Sequence, residues 1–119
     1  MSNFTESTDY IGKEVEMIVE RPLGSVHPKH AHIIYQVNYG YIPHTLSSDG
    51  EELDAYLLGI TEPLKTFKGI CIAVLRRTEE SDDKLIIAPK GKDFSEGEIR
   101  ALVEFQEKFF QSEIIKSPE

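Results

Sequence analysis

Apolar and acidic positions alternate along residues 14–20: Val15, Met17 and Val19 are interleaved with Glu14, Glu16 and Glu20. A period of two predicts a half-buried β-strand. Further strands are predicted over residues 32–37 (HIIYQV), 53–59 (LDAYLLG), 69–77 (GICIAVLRR) and 84–89 (KLIIAP). Between them lie stretches rich in Gly, Pro, Ser, Asp and Glu at 21–30, 44–52, 61–69 and 78–83, which read as turns. Short strands at such regular spacing predict a small antiparallel barrel or sandwich. From Ser95 the pattern changes. Ser95 and Glu98 stand at the spacing of a capping box, and Ile99, Leu102, Val103, Phe109 and Phe110 then recur with helical spacing. The expected fold is mainly β with α+β character, a barrel covered by one C-terminal helix. Residues 116–119 read as a polar tail, and no internal repeat or linker divides the 119 residues, so one domain over 1–119 is expected.

Composition narrows the chemistry. The formal net charge of −8 repels the phosphate backbone of nucleic acids and anionic membrane surfaces, so neither is expected as a partner. The first twenty residues carry charges throughout and no stretch is long and apolar enough to cross a bilayer. Cys71 is the only cysteine and lies inside an apolar strand, where it reads as a small core hydrophobe. Together these features predict a cytoplasmic protein. A chain this acidic that handles small anions needs metal ions or a local group of cations to reverse the sign inside its pocket.

The candidate chemistry lies in two acidic loops. Asp49, Glu51 and Asp54 surround a glycine turn before the predicted strand at 53–59, and Glu79, Glu80, Asp82 and Asp83 fill the connection at 78–83. Each loop alone reads as a solvated turn. The EF-hand pattern fails, because its glycine and closing glutamate fall at other offsets. Hard oxygen donors suit Mg²⁺, which takes one or two carboxylates and fills its remaining positions with water and substrate phosphate. Lys84 follows the second loop, and Lys29, Arg76, Arg77, Lys90 and Lys92 are further cations. His27, His30 and His32, with His44 nearby, suggest a transition-metal site, but no cysteine or carboxylate joins them at a zinc spacing. Strand alternation would put His30 and His32 on one face with His27 in the preceding turn.

The run YQVNYGYIPHTLSSDGEELD followed by ICIAVLRRTEESDDKLIIAP closely resembles the soluble family I inorganic pyrophosphatases over residues 33–89. That family carries Asn-Tyr-Gly-(Tyr/Phe)-Ile-Pro, then Asp-Gly-Asp-Pro-x-Asp, then an acidic hairpin ending Asp-x-Lys-Leu. The resemblance implies a five-stranded barrel of OB type with covering helices, and Mg²⁺-dependent hydrolysis of pyrophosphate to two phosphates, with Mn²⁺ as an alternative metal. Position by position it implies that Asp49, Asp54, Asp82 and Glu79 bind metal. Glu51 takes the place of the base that deprotonates the nucleophilic water, Tyr39 lines the site and Lys84 faces phosphate. It also implies a homo-oligomer as a partner state.

The departures from that pattern bear on function. Glu51 and Glu79 stand where the family has aspartate, and the acidic hairpin is shorter. A displacement of about 1 Å in a tuned site costs ~10²-fold in rate. The arginine expected upstream of Asn-Tyr-Gly falls near His27, so His27 and Lys29 are expected to supplement the phosphate-binding cations. A substrate-binding Tyr-Lys pair is expected near the C-terminus, where the chain reads Glu113-Ile114. Two alternatives therefore accompany the pyrophosphatase reading: a metal- and phosphate-binding protein with little turnover, and a hydrolase of another small phosphoanhydride.

Overall fold

The computed structural model describes residues 6–47, 50–80 and 82–117. Five strands close into a barrel. β1 (Glu14–Arg21) pairs antiparallel with β2 (Asn38–Ile42), which pairs antiparallel with β3 (Leu53–Leu57). β3 lies parallel to β5 (Asp82–Ala88), β5 pairs antiparallel with β4 (Thr66–Arg77), and the first half of β4 returns to β1 with Glu14 opposite Ile70. The expected barrel is thus present, with β3–β5 as a parallel pair. A parallel pair needs a crossover connection, and here the crossover contains β4 itself.

The twelve residues of β4 pair with β5 along one edge and divide the other edge between two partners. Thr66–Ile70 faces β1, whereas Val74–Arg77 pairs with β6 (Ser112–Ile115), a short strand outside the closed ring. Four residues carry too brief a period to stand out in a sequence, and residues 112–115 received no element from the hydrophobic pattern.

The strand expected at 32–37 is not part of the barrel. Ile33, Tyr35 and Val37 are buried while Ile34 and Gln36 are not, so the period of two in burial is real. Its hydrogen-bond partner is the neighbouring 24–27 segment, through Gly24 N to Tyr35 O, Tyr35 N to Ser25 O and His27 N to Ile33 O. The barrel strand begins at Asn38. His30 and His32 consequently sit in a turn rather than on a strand face.

Two cores flank the barrel wall. Val15, Met17, Leu53, Ala55, Leu57, Leu85 and Ile87 fill the barrel, where Cys71 is also fully buried. Burial pushes its thiol up to about 12, which makes it inert at neutral pH. On the outer wall, Tyr39, Tyr56, Ala73, Leu75 and Ile86 pack with Ile99 and Val103 of the helix α1 (Glu96–Glu107). The capping box is formed as read: Ser95 Oγ accepts from Glu98 N at 3.1 Å and Glu98 Oε1 accepts from Ser95 N at 2.8 Å. The helix ends at Glu107, so Phe109 and Phe110, expected within it, lie beyond its end and are exposed.

Candidate active site

Strand alternation and register together place the polar groups of the outer wall. Along β5, Asp82 and Lys84 share the face of Ile86, while Leu85 and Ile87 point into the barrel. In the ladder Arg77 is opposite Asp82, Asp54 is beside Lys84, and Tyr39 is opposite Tyr56. β2, β3, β4 and β5 therefore deliver Tyr39, Asp54, Arg77, Asp82 and Lys84 to one cavity of about 530 Å³. Asp83, one residue out of phase, pairs instead with Arg76 at 3.0 Å and accepts from Ser7 Oγ.

Lys84 is the centre of this cluster. It is 2% exposed, and its Nζ donates to Asp54 Oδ2 at 2.8 Å and to Asp82 Oδ2 at 3.2 Å. Tyr39 OH donates to the same Asp54 oxygen at 2.7 Å. Burial and the adjacent Asp54 charge hold the Tyr39 hydroxyl well above its ordinary range, so it remains a donor. The repulsion between Asp54 and Asp82 is thus offset by an ammonium between them.

A second layer joins the barrel to the helix. Arg77 donates from Nε to Glu107 Oε1 at 3.0 Å and from Nη2 to Glu107 Oε2 at 2.7 Å, a two-point pairing that fixes the guanidinium plane. Its Nη1 reaches Asp82 Oδ2 at 3.3 Å. Tyr56 OH also donates to Glu107 Oε2, at 2.6 Å, and accepts from Gln106 Nε2 at 2.6 Å. Gln106 Oε1 accepts from Tyr35 OH at 2.6 Å, and Tyr35 OH accepts from Arg21 Nη1. The chain of bonds thus runs from Arg21 on one side of the cavity to Arg77 and Asp82 on the other.

Arg21 enters through an irregularity in the β1–β2 register between Val19 and Arg21. It lies 5.7 Å from the Tyr35 ring centroid and 5.8 Å from that of Tyr39, and it lines the cavity. His27 lines the cavity as well, but burial, then Arg21, His30 and Lys29, push its imidazole below the ordinary 6.5. His27 is therefore neutral at pH 7 and Arg21 is the fixed cation on that side. Lys29 is exposed and does not line the cavity, although its backbone N–H donates to His27 Nδ1. Three rings, His27, His30 and His32, neighbour one another with centroids 4.9 and 6.0 Å apart, yet no group of three metal-ligating side chains is arranged to hold an ion among the described residues.

Of the residues singled out by the sequence, Tyr39, Asp54, Arg77, Asp82, Lys84 and the histidines His27, His30 and His32 meet at the cavity. Glu51 does not line it: it precedes β3, which begins at Leu53, it stands an odd number of residues from Asp54 and so out of phase with the face that carries Asp54 to the cavity, and it is exposed. Glu79, in the turn after β4, lines a neighbouring cavity beyond Phe109 and Phe110. Asp49 lies outside the described residues. Glu113 and Ile114 belong to β6, opposite Arg76 and Leu75, and the C-terminal residues that reach the cavity are Gln106, Phe109 and Phe110. Gln106 carried a signal in the sequence. Ile99, Val103 and Gln106 fall at i, i+4 and i+7, which puts a polar amide on the core stripe of the helix.

The inorganic pyrophosphatase family model matches residues 12–115, nearly the whole of this arrangement. The chain belongs to the inorganic pyrophosphatase family. The inorganic pyrophosphatase of Rickettsia felis is 39% identical over 62 residues, which are 49% of this chain and 36% of that protein. That of Buchnera aphidicola is 45% identical over 65 residues, 50% of this chain and 35% of the relative. The chain therefore matches about a third of the length of these curated relatives. The crystal structure of the inorganic pyrophosphatase from Ehrlichia chaffeensis superposes with a TM-score of 0.69 at 20% identity, covering 98% of this chain and 93% of that one. The Thermus thermophilus structure gives 0.60 at 20% identity, covering 97% and 88%. At these identities the likeness is one of fold, the OB-like pyrophosphatase barrel. Among the described residues no helix is long and apolar enough to cross a membrane.

Proposed function

We propose that this pyrophosphatase-family chain is a divalent-metal-dependent diphosphatase that splits pyrophosphate into two phosphates. The observation that carries this reading is the meeting of Asp54, Asp82, Lys84 and Tyr39 from three strands on one cavity wall. The donor set fits one ion of Mg²⁺ or Mn²⁺: two hard carboxylates converge on one point, and Mg²⁺ requires only one or two with water and phosphate completing its shell. A bound ion would supply an acidic water and a clamp on phosphate oxygens.

This chain's own residues do the rest. Asp54 and Asp82 would hold the ion, with Asp54 oriented by the Tyr39 hydroxyl. Lys84 turns its ammonium from the carboxylates toward the incoming phosphate, a cation that serves the ground state as a neutralising partner and the transition state as charge stabilisation. Arg21 offers a second cation from the opposite wall. In this arrangement Glu51 is not assigned the proton transfer and Glu79 is not assigned a metal, since neither lines the cavity.

Lys84 already occupying the space between the carboxylates favours, as a second reading, a binder with little turnover. Phosphate release from pyrophosphate with Mg²⁺ or Mn²⁺ separates the two. The diphosphatase reading expects turnover that falls about 10²-fold or more in Asp82→Asn. Metal-dependent pyrophosphate binding in calorimetry without turnover would establish the second reading instead, and the absence of both would overturn each.

A further inference from the structure

Among the described residues the cavity is lined by three fixed cations, Arg21, Arg77 and Lys84, and by two carboxylates, Asp54 and Asp82. It is locally positive in a chain of net charge −8. Of these cations, Arg77 is fixed in orientation. Its Nε and Nη2 bond the two oxygens of Glu107, which approaches from α1 and does not line the cavity. The Phe110 ring covers one face of the guanidinium, with its centroid 3.6 Å from Cζ. One edge and one face of the plane are thereby held. A guanidinium carries five N–H donors. Two go to Glu107 and one, on Nη1, goes to Asp82 Oδ2 at 3.3 Å, while Glu80 stands 3.7 Å from Nη1, beyond hydrogen-bond reach. One N–H on Nη1 and one on Nη2 remain. The tie between β4 and α1 is complete without them.

We infer, resting on the diphosphatase reading of the site, that Arg77 is a phosphate-binding residue whose Nη1–Nη2 edge bonds the oxygens of one phosphoryl group of pyrophosphate, and that Glu107 is the positioning residue that aims it. Asp82 Oδ2 accepts from Arg77 at 3.3 Å and from Lys84 at 3.2 Å, so the two cations approach one point. A phosphoryl group that meets Lys84 there is within reach of both. The planar fork matches two phosphate oxygens at once, which the point charge of a lysine does not. Because Glu107 and Phe110 already hold the plane, little side-chain freedom is lost when the anion arrives. Arg21, on the opposite wall, is left for the second phosphoryl group.

Calorimetric titration with imidodiphosphate in Mg²⁺ tests the assignment, since its P–N–P bridge resists hydrolysis. Arg77→Met leaves Glu107 buried without its cation and is expected to destabilise the chain. Combining it with Glu107→Gln removes both charges while the new amide oxygen still accepts from Tyr56 OH, so most of that stability should return in urea denaturation. Both variants are expected to bind imidodiphosphate about 10- to 100-fold more weakly than the parent chain, the worth of one charge-assisted hydrogen bond. The melting-temperature shift given by Mg²⁺ alone should be at least as large as in the parent, because Asp82 loses a competing cation. Arg77→Lys keeps the charge beside Glu107 without the fork, and is expected to fold and to bind imidodiphosphate about 10-fold more weakly. A double variant that regains stability and binds imidodiphosphate like the parent would show a structural tie only, overturning the assignment and leaving the diphosphatase reading standing. A parallel loss of the Mg²⁺ shift would overturn it as well, because Arg77 would then act on Asp82 and not on phosphate. A parent chain that neither binds imidodiphosphate nor releases phosphate from pyrophosphate would overturn both.

Discussion

At the scale of single residues, Lys84 decides the electrostatics of the cavity. It is buried, and both of its carboxylate partners reach solvent in part, with 35% of the Asp54 side chain and 22% of the Asp82 side chain exposed. Replacing it by methionine leaves two like charges facing one another in partial contact with water. Lys84→Met is expected to lose roughly 1–3 kcal/mol of stability, less than the ~3–5 kcal/mol of a fully buried broken pair. The same change vacates the space between the carboxylates, so Mg²⁺ should raise the melting temperature of Lys84→Met more than that of the parent chain. Equal or absent Mg²⁺ shifts in scanning calorimetry would mean that Asp54 and Asp82 do not share an ion. Arg21 shows the converse at the same scale: its place beside Tyr39 depends on a register irregularity in β1 that no residue spacing announces.

Among the elements, the contact between β4 and α1 carries the most concentrated polar network. Arg77 and Glu107 are 10% and 5% exposed in their side chains, so their two-point pair is shielded from water. The pair ties the helix to the strand ladder at the point where Arg77 also meets Asp82. Glu107→Gln keeps the shape but removes the charge that compensates a buried guanidinium, and is expected to cost about 3 kcal/mol in urea denaturation. A loss below about 1 kcal/mol would show that the apolar stripe and the Gln106 bonds hold the helix without this charge pair. The helix itself was legible in the sequence from its capping box and its apolar stripe, because both are local. Its end was not. Phe109 and Phe110 continue the helical spacing, but the chain turns away so that β6 can take the edge of β4 that β1 leaves open.

For the molecule as a whole, closure of the barrel sets the site, since β1 and β2 meet tightly enough to exclude any side chain at one point. A Cβ added to Gly40 would come within 1.8 Å of the Ile18 carbonyl oxygen, which belongs to the backbone and cannot rotate aside. Gly40→Ala is therefore expected to part the two strands at a cost of about 3 kcal/mol or more and to disturb Tyr39 next to it. An unchanged unfolding midpoint would mean that the barrel does not close as described. The sequence by itself determined four of the barrel strands, β1, β3, β4 and β5, and where the helix begins, and its motifs singled out Tyr39, Asp54, Asp82 and Lys84 among the candidate residues, whereas β2 and β6 were not legible in it. Each of those features rests on short-range periodicity or on a contiguous motif. Only the tertiary structure decided that Arg21, Gln106, Glu107, Phe109 and Phe110 join them and that Glu51 and Glu79 stand apart. Those placements follow from strand register, from the parallel β3–β5 pairing and from helix docking, each of which brings together positions distant along the chain.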